Sequence, residues 1–258
     1  MRFFLAILSV LALALSSCGG GSSSNPLQQA PAQFRIASGD WAISLTPQNT
    51  IPLLAAGGSL TQSAGNVSGI LHLMGSSCVD SVTDDLVITG TVSGNTITFS
   101  SAPVRGQIFS VTAMPFLKPS NDVDLLEGTW ELSGACAASG TAGAFFVPPM
   151  NGTFSGTLSG GMTGNVSATL VETGPDAHGF FHVDGSFAFS GSPCFTSGTI
   201  TGGNNFVGGL ADLVVNTNDS GQTIVLVTHT VFDTVSSTFI VKSGVCSGQT
   251  GFASLLKQ

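Results

Sequence analysis

Tyrosine is absent from this 258-residue chain, and charge is scarce: six Lys and Arg with 14 Asp and Glu make up only 8% of it. A soluble domain ordinarily carries about 25% charged residues. That scarcity excludes a coiled coil, which needs charged flanks along its seam, and a chain kept disordered by self-repulsion. The net charge is −8 and the few basic residues are scattered, so no electrostatic footprint for nucleic acid exists. Helical periodicity is missing beyond the first residues. Missing too are the nucleophile elbow G-x-S-x-G, a phosphate loop, a dinucleotide fingerprint and HExxH. Nothing therefore calls for a cofactor, and no catalytic or metal site is expected.

Present instead are 34 glycines and 18 phenylalanines. At the N-terminus, Met1-Arg2 precedes an unbroken apolar stretch from Phe3 to Leu15. It is shorter than the roughly 20 residues of a membrane-spanning helix and has the layout of a secretory signal. It ends in Leu15-Ser16-Ser17-Cys18, followed by the flexible run Gly19-Gly20-Gly21-Ser22-Ser23-Ser24. These residues resemble the lipobox of bacterial lipoproteins. The resemblance implies a signal peptide over residues 1–17, lipid on the thiol of Cys18 and a tether over 18–33. It also implies a membrane anchor in the cell envelope. Gly19, in place of an Asp after the cysteine, points to the outer membrane, facing the periplasm or the cell surface.

Past the tether, apolar and polar residues alternate with period two, bounded by Gly, Asn, Ser and Pro. Strands are expected at Trp41–Thr46, Val67–Leu73, Leu86–Val92, Thr96–Ser100, Ile108–Ala113 and Thr129–Leu132. Others are expected at Thr153–Leu158, Val166–Val171, Phe180–Phe189, Leu210–Val215, Thr223–Phe232 and Thr238–Lys242. Many short strands at intervals of about ten residues predict an all-β, antiparallel barrel-like or sandwich architecture.

The pattern also repeats. Gly65-Asn-Val-Ser-Gly-Ile-Leu71 is echoed by Gly164-Asn-Val-Ser-Ala-Thr-Leu170, and Thr89–Asn95 by Ser197–Asn204. Ile108–Ala113 is echoed by Ile224–His229, and Trp130–Cys136 by Ile240–Cys246. Two related β units in tandem are expected, over 34–147 and 148–258. Each holds two cysteines. Export implies an oxidising compartment, and duplication selects pairing within units: Cys78 with Cys136, Cys194 with Cys246.

Chemistry is harder to find. His72, His178, His182 and His229 are the only histidines available as general bases, and no local signature ties one to a serine. His178-Gly-Phe-Phe-His182 has helical ligand spacing, but in a strand such residues lie about 13 Å apart, too far for one ion. Asp80, Asp84, Asp85 and Asn216-Thr-Asn-Asp219 are expected as turn residues. The expected role is non-catalytic: a membrane-anchored protein for binding or envelope structure, with an envelope protein, a glycan or a small apolar ligand as partner. Two alternatives stand beside it, a hydrolase using one histidine and a carrier of an apolar ligand inside a barrel.

Overall fold

The strand pattern closes into barrels because a sheet with one apolar face can bury that face completely by curling onto itself, which also removes its edges. The structure, a computed structural model, describes residues 34–48, 54–116, 122–200, 205–218 and 221–258. The signal, the lipobox with Cys18 and the tether lie outside them. So do the Thr201–Asn204 end of one repeat and Asp219 of one turn.

In the first half, β1 (Arg35–Ile36) pairs in parallel with β8 (Asp122–Val123). The barrel itself is built from β2 (Gly39–Pro47), β3 (Leu54–Ser63), β4 (Asn66–Met74), β5 (Leu86–Ser93) and β6 (Thr96–Ser101), with β7 (Ile108–Pro115), β9 (Leu125–Ser133) and β10 (Ala138–Phe146). Each strand pairs antiparallel with its predecessor in the barrel, and β10 returns to β2, closing an eight-stranded up-and-down barrel. Its core is led by Trp41, Trp130 and Phe109.

The second half repeats the plan. Its strands are β11 (Gly152–Gly160), β12 (Gly164–Thr173), β13 (Phe181–Ser190), β14 (Ser197–Ile200), β15 (Asn205–Val207), β16 (Leu210–Thr217), β17 (Thr223–Val231), β18 (Thr234–Val241) and β19 (Thr250–Lys257). The pieces β14 and β15 share one position between β13 and β16, and β19 pairs with β11, so this barrel also closes with eight positions. Phe154, Phe187, Phe189, Phe195, Phe206 and Phe239 fill it. The free volume among its core residues is 20 Å³, about one water's worth.

Counting strands around each barrel tests the repeat. The pairs β5/β14, β7/β17 and β9/β18 occupy equivalent positions, so three of the four sequence echoes mark true equivalents. The fourth does not: β4 is third in its barrel and β12 second, so that Gly-Asn-Val-Ser match is a product of composition. Both disulfides form within a barrel, Cys78–Cys136 and Cys194–Cys246, enclosing loops with separations of 58 and 52. Each joins the third-to-fourth connection to the seventh-to-eighth. The surroundings are duplicated as well. Ser76 Oγ accepts the Cys78 N–H and Ser192 Oγ the Cys194 N–H. A buried glutamine stands beside each bridge: Gln107 accepts from the Cys136 N–H, and Gln222 donates to the Cys194 carbonyl.

Candidate functional site: the seam between the barrels

Alternation fails where it matters most. Along β3, residues Ala56 to Leu60 are buried on both faces, because the outward face is covered by the second barrel. The register places Ala42, Gly57 and His72 in one outward row across β2, β3 and β4, and Asp40, Ser59 and Ile70 in the next. Against this face lie the Gly208-Gly209 turn between β15 and β16, and the 174–180 connection before β13. Small residues allow the approach. A Cβ on Gly57 would lie 2.6 Å from the Gly208 Cα, and one on Gly179 2.7 Å from the Ile70 Cβ. Ala42, although on a first-barrel strand, belongs to the second barrel's core.

Asp40 is the polar centre of the seam. Its side chain is 2% exposed, and Oδ1 accepts the Gly208 N–H at 2.8 Å while Oδ2 accepts the Gly209 N–H at 3.1 Å. Gly208 takes a positive φ of 57°, which lets two successive N–H groups converge on one carboxyl. Burial pushes the Asp40 carboxyl up to about 7, with the neighbouring Glu172 charge adding to the rise and the N–H donors opposing it. Glu172, on β12, accepts the Met150 N–H at 2.7 Å; burial raises its carboxyl too, against the Met150 N–H and the Lys257 charge. Between the two acids opens a cavity of 320 Å³, walled by Ser59 and Thr61 from the first barrel and by Asn151 and Phe181 from the second.

Three of the four histidines gather at this seam. His72 is buried, stacks on Phe180 with ring centres 4.0 Å apart, and donates from Nε2 to the His178 carbonyl at 2.8 Å. Its Nδ1 is buried with no hydrogen-bond partner among the described residues. His178 reaches across to Asp85 at 2.8 Å, and this hydrogen bond raises its imidazole above the ordinary range. His182 pairs instead with Asp176 at 2.9 Å. Partial burial pushes Asp176 up, but the His178 N–H, His182 and the Phe180 N–H outweigh it and hold the carboxyl low. The two histidines of the 178–182 spacing thus end on separate carboxylates, one from each barrel. His229 is exposed on β17.

The other sequence candidates fall elsewhere. Asp80 caps its own turn by accepting from Val82 and Thr83, while Asp84 pairs with Arg105 at 2.7 Å. Asp40 and Glu172, the carboxyls that make the cavity, were not singled out by sequence reasoning. The available signal was an acid heading the apolar run of β2, with Trp41 on its inner face.

These environments predict an unusual pH profile. The raised Asp40 and Glu172 carboxyls bind protons more tightly folded than unfolded, so their contribution is fully present below the unfolded values of 3.8 and 4.5. For Asp40 it is lost as pH rises towards about 7. The exposed His178–Asp85 pair acts in the same direction, fading as pH rises through the raised value. Asp80 and Asp176, held low, work oppositely, but only as pH falls below the ordinary carboxylate value of 3.8. Urea unfolding midpoints should therefore decline from about pH 5 to about pH 8, and a flat or rising profile across that window would count against the buried seam.

No known protein family matches the chain, and no curated protein matches it. Among solved structures, a protein of unknown function in the DUF3598 family, from Nostoc punctiforme, is similar over 85% of this chain and 96% of its own, at 12% identity and a TM-score of 0.29. Kievitone hydratase from Nectria haematococca is similar over 88% of this chain and 91% of its own, at 8% identity and a TM-score of 0.25. Likenesses at this level carry no functional inference, so the seam is read on its own chemistry.

Proposed function

We propose that this chain is a lipid-anchored, non-catalytic binding protein of a bacterial cell envelope, and that it recognises its ligand at the seam between its barrels. The observation that carries the reading is the 320 Å³ seam cavity, with Asp40 and Glu172 contributed by different barrels. Its volume falls at the low end of the range for small-molecule sites, about 300 Å³ and above. The Phe-filled interior of the second barrel, with 20 Å³ free, favours the seam over carriage of an apolar ligand inside that barrel. The histidines support a binding role: His72 Nε2 is committed to a backbone carbonyl, and His178 and His182 each hold a structural carboxylate. The anchor rests on the lipobox residues Leu15-Ser16-Ser17-Cys18.

Two measurements test the proposal. Feeding cells a palmitate analogue should label the wild-type protein and leave Cys18→Ser unlabelled and released from the membrane fraction, because two or three acyl chains at about 0.8 kcal/mol per CH₂ hold a protein essentially permanently. Equal labelling of both would remove the anchor from the account. Purified protein should turn over no ester, peptide or glycoside in a histidine-dependent way. Activity abolished by a single His→Ala exchange in a protein that still folds would replace the binding reading with an enzyme.

A further inference from the structure

We propose that the seam cavity takes a small organic ammonium, held between the carboxylates of Asp40 and Glu172 with Phe181 as the aromatic wall. The inference rests on the binding reading above and names the chemical class that reading leaves open.

The cavity lining carries two acids beside neutral polar groups. Asp40 and Glu172 line it with the hydroxyls of Ser59 and Thr61 and the amide of Asn151, and among the described residues no Lys, Arg or His lines it. Lys257 influences Glu172 from outside the lining. Asp40 is fixed and covered by second-barrel N–H groups, so its position is set before any ligand arrives. Among the described residues the partners of the buried Asp40 carboxyl are neutral N–H donors, so its charge is uncompensated when it ionises, which is costly for a buried group. An ammonium supplies the compensating charge and brings N–H donors to the two acids. Phe181, which also packs into the second barrel's core, contributes aromatic edge or face to the lining. A bare metal ion suits the site less well. Hard cations want six or more oxygens close in, and among the described residues no group of three or more His, Cys, Asp or Glu side chains converges.

The probe is 1,4-diaminobutane, compared with its neutral isostere 1,4-butanediol and with Ca²⁺ alone. Binding is read by calorimetry on the full chain at about pH 8, above the Asp40 value of about 7. The diamine is expected to bind, with the diol weaker by about tenfold or more, and Glu172→Gln should weaken the diamine by about tenfold. Gln keeps an acceptor for the Met150 N–H, so this variant retains the local fold; Asp40→Asn, which loses one acceptor for the Gly208-Gly209 turn, serves as the second variant. Equal affinity for diol and diamine, both lost in Glu172→Gln, would overturn the ammonium and leave a binding site for neutral hydroxyl compounds. Binding of Ca²⁺ in place of the diamine would overturn it in favour of a metal. No binding of the diamine, or binding indifferent to both variants, would overturn the inference while leaving the binding reading of the seam to stand on its own test.

Discussion

Exchange of Cys194 and Cys246 together for alanine is expected to cost about 4 kcal/mol, the chain-entropy value for a loop of this length. The constraint acts on the unfolded second barrel, so that barrel should bear the loss. The protein offers a built-in reporter, because its two tryptophans, Trp41 and Trp130, both lie in the first barrel's core. Far-UV circular dichroism follows both barrels, whereas tryptophan fluorescence follows the first. In the bridge variant the dichroism transition should begin at lower denaturant than the fluorescence transition. The first barrel is expected to persist alone because its eight strands close on one another around a core of their own, led by Trp41 and Trp130. Equal shifts of both probes would contradict the assignment of one bridge to each barrel as an independent staple. The same exchange at Cys78 and Cys136 should reverse the order.

Gly208→Ala is expected to cost about 3 kcal/mol, made up of about 1 kcal/mol for a side chain in the left-handed region and about 2 kcal/mol for overpacking. Gly94 provides a matched comparison. Its φ is 58° against 57° at Gly208, yet a Cβ there meets nothing within 4 Å, whereas at Gly208 it would lie 2.9 Å from the Gly57 Cα. Gly94→Ala should therefore lose only the conformational share, about 1 kcal/mol. The difference between the two isolates the closeness of the seam from the backbone preference. Equal losses from urea unfolding would mean that the second-barrel turn does not press on β3. Displacing that turn also withdraws the two N–H donors from Asp40, so the Gly208 variant should bind the diamine probe poorly as well.

Much of the fold was legible because half-buried strands advertise themselves through alternation. Strands such as β5 and β6, with Leu, Ile, Val and Phe at alternate positions, match their expected spans to within a residue, whereas β18 begins four residues before its expected start at Thr238. Two of the strands that escaped notice share a composition. β3 reads Leu-Ala-Ala-Gly-Gly-Ser-Leu, and β10 reads Ala-Ser-Gly-Thr-Ala-Gly-Ala before its two Phe residues. Neither has the Val or Ile that most plainly marks a strand, because β3 must admit the second barrel against its outer face. β10 carries Gly140 and Ala142 where neighbouring strands approach on both sides. The cysteine pairing was readable since duplication limits the options. The seam was not. Asp40 and the Gly208 N–H are separated by 168 positions, and no local pattern announces a contact of that range. His178 and His182 drew attention through their spacing, yet their partners Asp85 and Asp176 follow from how the connection before β13 folds.

The central claim is that the second barrel closes over Asp40 and makes a site from groups of both barrels. Its most direct test is the titration of the Asp40 side-chain carboxyl by carbon-13 chemical shift in the wild-type protein, assigned with Asp40→Asn. Closure predicts a midpoint of about 7, far above the ordinary 3.8, because burial beneath the Gly208-Gly209 turn disfavours the charge. The midpoint should fall in Glu172→Gln, where the neighbouring negative charge is gone. A midpoint close to 3.8, unchanged by Glu172→Gln, would show an Asp40 open to water and barrels that do not meet as described.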